Sequence, residues 1–363
     1  MGRRINKKRL GILLAIPFVF LMFIFYIGGR NAFNYNNKVV KQEKYIKSTG
    51  STEKKAKKES ITISFAGDVT MGNYKGASYY SSFDHEFEKQ NQNYSYFFQN
   101  VKDVFEQDDL TVVNLEGPLT TSNNAQVKRF AFKGDPTYVN ILKEGNIEAV
   151  TLANNHSKDY LEEGLKDTEF ILKENGIEYF GSSKQAIIDV KGVKVGLLGY
   201  NGWPENYNDK YLNNMKNEIE VMKKESDLIL AYFHWGTESM YYPDKVQIDF
   251  AHFAIDSGVD GVLGSHPHVI QGIEKYKEKY IAYSLSNFCF GGNKNPKDKD
   301  AFIYQQTFNF EDEKLVSINK PNLIPCSISS KSNINNYQPT PSEGEEKNRI
   351  LNKVIDISES LNK

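Results

Sequence analysis

The sequence predicts an α/β domain with largely buried sheets, preceded by a membrane anchor and a polar stalk. Three observations carry this reading. From Ile61 onward short apolar runs alternate with amphipathic stretches, glycines follow two of those stretches as stop signals, and one uncharged run near the N-terminus is long enough to span a bilayer.

The runs read as strands are ITISFA from Ile61, LTVVNL from Leu110, EAVTLA from Glu148, VKVGLLGY from Val193, DLILAYFHW from Asp227 and GVDGVLGS from Gly258. They are too short and too continuously apolar for helices, and they suit strands buried on both faces. Leu161–Asn175, Tyr211–Glu225 and Val246–Ser257 repeat their apolar positions at helical spacing. Gly176 and Gly258 follow the first and last of these, as a left-handed C-cap requires. Tyr280–Asn287 and Ala301–Phe310 read as two late strands. After the polar stretch NINNYQPTPSEGEE, Ile350, Val354, Ile357 and Leu361 share one helical face, which predicts a helix over about 347–362 docking back on the domain.

The anchor lies between Arg9 and Arg30, where twenty residues carry no charge. At about 1.5 Å per residue they just cross a hydrocarbon layer of about 30 Å. Arg3, Arg4, Lys7, Lys8 and Arg9 precede the run, so the positive-inside rule keeps this end cytoplasmic and places the main domain outside a cell membrane crossed once. The run exceeds a signal-peptide core, and neither an AxA-like cleavage site nor a lipid-accepting cysteine follows it. Residues 31–60 are Lys-rich and aperiodic, a flexible stalk. The domain then occupies 61–363, with a motif-bearing core at 61–291.

Composition narrows the function. Of 363 residues 39% are apolar and 13% aromatic, enough for a substantial core. Residues 1–60 hold 14 Lys/Arg against 3 Asp/Glu, and the remainder holds 31 against 43. An acidic main domain makes a poor nucleic-acid binder, because phosphate binding rests on clustered positive charge. Cys289 and Cys326 form no metal-type pair and read as two buried, unpaired thiols.

Chemistry in an open α/β sheet collects beyond the carboxyl ends of strands. Five of these six strands deliver a polar residue at that edge: Asp68; Asn114 and Glu116; Asn154, Asn155 and His156; His234, with Glu238 beyond it; and His266 with His268. Each alone is an ordinary turn or cap residue, but four of six histidines and several oxygen donors share one topological position. Alternate positions on an extended His-Pro-His segment can reach one metal or two neighbouring ones. Imidazole and carboxylate without thiolate suit Mn, Fe or Zn, and a carboxylate such as Glu116 can bridge two cations. His156 is placed to donate a proton. His85 and His252 follow no strand and read as structural, and Lys128, Arg129 and Lys133 form a basic loop near the Glu116 motif.

The ordered series GDVTMG, NLEGPL, ANNHSKDY, YFHWGTES, GSHPHVIQG and YSLSNF, from Asp68 to Phe288, resembles the CapA family of capsule and poly-γ-glutamate biosynthesis proteins. That family is similar in fold to calcineurin-like metallophosphatases. The resemblance implies a four-layer α/β/β/α sandwich with one or two divalent ions at the edges of its sheets. Asp68 and His268 would hold the first ion, Asn155, His234 and His266 the second, and Glu116 would bridge. His156 takes the position of the phosphatase acid, while Asn287 and Glu238 line the pocket or support ligands. Two features depart from the phosphatase pattern: Thr70 stands where a ligand histidine is usual, and Glu116 replaces an aspartate with no arginine after it. The resemblance further implies membrane-embedded synthase subunits as partners and an anionic polymer as the molecule handled. It leaves open a metal-dependent hydrolase, a non-catalytic polymer-binding scaffold of the synthase complex, and a surface metallophosphatase unrelated to capsule.

Overall fold

A computed structural model describes residues 57–361 apart from residue 183. The expected membrane span and nearly all of the stalk lie outside the described residues. No helix among the described residues is long and apolar enough to cross a membrane. The first strand, Lys58–Thr70, begins inside the segment read as stalk, because Lys58, Glu59 and Ser60 already pair with Glu311, Phe310 and Asn309.

Two mixed sheets form the frame. The first has nine strands, and its central path runs Asn322–Ser327, Asp300–Glu311, Lys58–Thr70, Leu110–Leu115, Ala149–Thr151 and Glu178–Phe180. The second has six, ordered Ile273–Tyr276, Lys279–Ala282, Gly261–Ser265, Leu228–Trp235, Val193–Gly202 and Ala186–Val190. Lys58–Thr70, Leu110–Leu115 and Ala149–Thr151 run parallel, as do Val193–Gly202, Leu228–Trp235 and Gly261–Ser265, so each sheet has a common carboxyl edge.

Side-chain alternation sorts the strands between three apolar layers. In Leu228–Trp235, Leu228, Leu230 and Tyr232 join a cluster with Ile61, Ile63, Leu110 and Val112 of the first sheet. Ile229, Ala231, Phe233 and Trp235 face the other way, onto Met215, Ile219, Phe250 and Ala254 of the helices Asp209–Met222 and Lys245–Ser257. Val113, Leu115 and Val150 of the first sheet pack against Ile141, Leu142, Leu165 and Leu172 of Val139–Glu144 and Leu161–Glu174. The sheets therefore face each other, with helices on both outer sides.

The expected helices match Leu161–Glu174, Asp209–Met222 and Lys245–Ser257 closely, the last closed by Gly258 at φ 119°. The C-terminal helix runs Gly344–Glu359, three residues earlier than read, and buries Ile350, Val354 and Ile357. One reading needs correction. Tyr280–Asn287 is not one strand: Lys279–Ala282 belongs to the second sheet, and Asn287–Phe290 pairs with Lys58–Thr70 in the first. Ser286, at φ 67°, makes the crossing. The polar stretch before the last helix packs into the domain. Asn335, Asn336 and Gln338 are buried, their amides taken up by Phe290 O, Tyr96 Oη and Tyr96 O.

Candidate metal centre

Asp68 reaches the site through a backbone irregularity. Ile61, Ile63 and Phe65 face the inter-sheet layer, so strict alternation would turn Asp68 outward. The register with Leu110–Leu115 slips between Ala66 and Asp68, leaving Gly67 as the extra residue of a bulge. Asp68 then lies opposite Asn114, on the face shared by Leu110 and Val112. Gly67 is sterically required, since a Cβ there would stand 1.8 Å from the Ser286 carbonyl oxygen. The same crossing segment accepts the Asp68 N–H at Ser286 O, 2.9 Å away.

Asparagines hold the carboxylates and imidazoles in place. Asn114 Nδ2 donates to Asp68 Oδ1 at 2.7 Å and lies 3.2 Å from His234 Nδ1, while its Oδ1 accepts from Asn154 Nδ2 at 3.0 Å. With Nδ1 of His234 accepting, Nε2 carries the proton and donates to Asn155 Oδ1 at 2.9 Å. Glu116 Oε1 lies 3.6 Å from that Nε2, and Glu116 Oε2 accepts from Thr70 Oγ1 at 3.0 Å. His268 Nδ1 stands 2.9 Å from Asn287 Oδ1 and 3.1 Å from Asp68 Oδ2. Below the site, Tyr232 Oη donates across the sheets to Ala66 O at 2.9 Å.

The expected HxH geometry is corrected: the segment is not extended. His266 and His268 both have positive φ, 99° and 56°, on either side of Pro267. Non-glycine residues rarely adopt this half of φ space, and such strain concentrates at functional sites. The His266 ring packs on both His268 and His234, with centroids 5.7 and 4.8 Å away.

Glu116, His266 and His268 each offer a ligand atom, and these atoms lie within 4.8 Å of one another. The donor set fits a divalent cation on a further count. Among the few buried polar side-chain atoms without a hydrogen bond are Glu116 Oε1, His266 Nδ1 and Asp68 Oδ2, the last having only its contact with His268. Unsatisfied buried polar atoms are costly, and Glu116 Oε1 with His266 Nδ1 at one spot suit an ion. Burial and the neighbouring Asp68 charge push Glu116 up to about 7, while Asp68 falls to about 2 despite its burial because His268 bonds it. Burial and the charge of His268 bring His266 down to about 4. His268 rises against its own burial to about 9, drawn by Glu116 and Asp68.

His156 sits at the rim. Its Nδ1 lies 2.7 Å from Oδ2 of the buried Asp159, which also accepts the Phe132 N–H at 2.6 Å. Lys128 pairs with the other Asp159 oxygen and donates to Asn155 O at 3.1 Å, so this member of the basic loop turns inward. Glu238 is exposed on the wall of a cleft of about 600 Å³ that also takes in His156, His268, Asn287, Phe132 and Phe290. Asn114 and Asn154 support ligands rather than face that space: Asn154 uses its amide on Asn114 and Leu115 O.

Sequence reasoning missed three residues. Asp159 was readable as a carboxylate three positions after His156, but only the fold shows it buried. Trp203 places its ring edge-on to His266, centroids 4.8 Å apart, and follows no motif. Tyr232 lies hidden in an apolar run. Elsewhere the readings hold: His252 pairs with Glu274 at 2.9 Å, His85 packs on Tyr79 and Tyr80, and both cysteines are buried and unpaired.

Fold and site together define an α/β protein of two facing sheets with a buried carboxylate–imidazole centre at their carboxyl edges. Residues 62–292 match the family described as bacterial capsule synthesis protein PGA_cap, and the chain belongs to that family. It is 28% identical over 306 residues to the PGA biosynthesis protein CapA of Bacillus subtilis, covering 78% of this chain and 73% of that one. It is also 28% identical over 259 residues to the capsule biosynthesis protein CapA of Bacillus anthracis, covering 64% and 60%. Among solved structures, purple acid phosphatase PPD1 of yellow lupin is 10% identical, covering 78% of this chain and 53% of that one, with a TM-score of 0.35.

Proposed function

We propose that this protein serves in the synthesis, export or assembly of an anionic capsule polymer of the poly-γ-glutamate kind, as a membrane-anchored domain carrying a metal-dependent hydrolase-type site. The observation that supports a metal most strongly is the pair of buried ligand atoms without a hydrogen bond, Glu116 Oε1 and His266 Nδ1, beside an Asp68 oxygen met only by His268. Asp68, Glu116, Asn155, His234, His266 and His268 would hold one or two ions of Mn, Fe or Zn. Such an ion supplies Lewis-acid polarisation of a substrate oxygen. The chain's own contribution is distinct. His156 holds a proton at the rim, oriented by Asp159 through Nδ1, and Glu238 and Asn287 border the cleft in which a phosphoryl or amide group would sit. In this reading the domain is a four-layer metallophosphatase-like sandwich, with the residues 10–29 run as the anchor, the segment from residue 31 up to the first strand at Lys58 as the stalk, and synthase subunits of the membrane as partners.

Titrating residues 57–363 with Mn by calorimetry tests the site. Binding that is lost in Glu116→Gln and His266→Ala is the expected result; no binding to the unaltered domain sinks it. One observation favours a second reading, a non-catalytic polymer-binding scaffold: Thr70 occupies a ligand position and spends its hydroxyl on Glu116. Full metal loading with no turnover of phosphodiester or γ-glutamyl substrates would select it.

A further inference from the structure

A second cavity, of about 680 Å³, adjoins the cleft at the candidate metal centre, and Tyr241, Lys297 and Asp298 line both. Its wall carries five cations, Lys297, Lys299, Lys331, Lys353 and Arg349, against three carboxylates. That balance runs against the rest of the chain beyond residue 60, where acids outnumber bases 43 to 31. The cations are of two kinds. Arg349 and Lys353 are fixed by Asp300, at 2.9 and 2.8 Å, and Lys353 also by Asp298 at 2.6 Å. Lys353 lies over the Tyr241 ring, 4.7 Å from its centroid, which stiffens the shared wall. Lys297 and Lys331 have exposed side chains with no ion pair among the described residues.

We propose that this cavity is a docking subsite for the chain of a linear polycarboxylate whose reacting end lies at the candidate metal centre, with Lys297 and Lys331 contacting its charges. The inference rests on the polymer reading given under Proposed function and extends it to a path across the surface. Three features point to it. The cavity borders the cleft across Tyr241, Lys297 and Asp298, close enough for one extended ligand to reach both. Its free ammonium groups concentrate positive potential where an acidic domain would otherwise repel a polyanion. Its paired carboxylates hold the neighbouring cations in place without cancelling Lys297 and Lys331.

The test is fluorescence anisotropy with an end-labelled γ-linked glutamate decamer on residues 57–363 and on Lys297→Glu/Lys331→Glu, with polyphosphate and neutral polyglutamine as competitors. Both lysines are exposed and neither is a candidate metal ligand, although Lys297 borders the cleft, so the variant should fold, and its melting curve and Mn titration check that it does. We expect decamer affinity to fall about tenfold or more in the variant, a weaker salt dependence, and unchanged Mn affinity. Unchanged decamer affinity overturns the subsite while leaving the metal centre and polymer reading in place. Binding of polyphosphate in preference to the decamer, lost in the same variant, overturns the polycarboxylate and with it the polymer reading. No decamer binding by the unaltered domain overturns the subsite outright.

Discussion

His156 and Asp159 form a buried-to-rim pair, with Nδ1 of the imidazole 2.7 Å from a carboxylate oxygen that has no exposed surface. A carboxylate in this relation fixes the ring tautomer and leaves Nε2 to face the cleft. Asp159→Asn is therefore expected to lower metal-dependent turnover of an activated phosphodiester by about 10²-fold or more, the range for general acid–base catalysis. Mn affinity measured by calorimetry should stay near that of the unaltered domain, since Asp159 is not among the ligand atoms. Equal loss of both would mark Asp159 as a structural residue.

Glu116 contributes a pH-dependent part to the stability of the metal-free domain. Its folded value of about 7 lies above the ordinary 4.5, so its contribution to stability is fully present below 4.5 and lost as pH rises through 7. Glu116→Gln mimics the protonated form. The metal-free variant should thus melt higher than the unaltered domain at about pH 8, and the gap should close toward about pH 5. His234 and His266, held below their ordinary value by burial, act oppositely in both proteins and cancel, whereas His268, raised by Glu116 and Asp68, loses part of that attraction in the variant and narrows the gap. Melting curves across that range check the crossing; a gap that does not vary with pH contradicts it.

Metal should invert that order. At about 100 times its dissociation constant, a cation that binds only the folded state adds about 2.7 kcal/mol. Mn at neutral pH is expected to raise the melting temperature of the unaltered domain and leave that of Glu116→Gln unmoved. A chelator should reverse the rise, as calorimetric scans with and without it will show.

Gly67→Ala places a methyl group 1.8 Å from Ser286 O, at a junction where both strands are hydrogen-bonded. Neither backbone can yield without moving Asp68 or Asn287. Overpacking in a buried setting costs about 1–3 kcal/mol, and here the upper end or more is expected, together with loss of Mn binding. Denaturant unfolding measures the first and calorimetry the second.

The C-terminal helix is part of the domain, since Ile350 and Val354 sit in the inter-sheet layer with Leu230 and Phe308. Ile350→Ala should cost about 2–5 kcal/mol in denaturant unfolding, the range for a buried isoleucine. A near-neutral result would show the helix to be a detachable appendage.

Much of this protein was legible in its sequence. Continuous apolar runs ending in Asp68, Glu116, His234 and His266 announced buried parallel strands and a site at their carboxyl edge, because strand burial and loop polarity are local properties. The period-3.6 face of Ile350, Val354 and Ile357 likewise announced its helix. What the tertiary structure decided were relations between segments far apart in the chain. The slip at Gly67 that turns Asp68 inward depends on Ser286, more than two hundred residues on. The division of Tyr280–Asn287 between two sheets depends on which neighbours each half finds, since the same apolar pattern satisfies either. The positive φ of His266 and His268 is paid for by packing that only the assembled sheets supply. Local pattern chooses the elements, whereas register, crossing and burial of charge are set by contacts that exist only once the two sheets face each other.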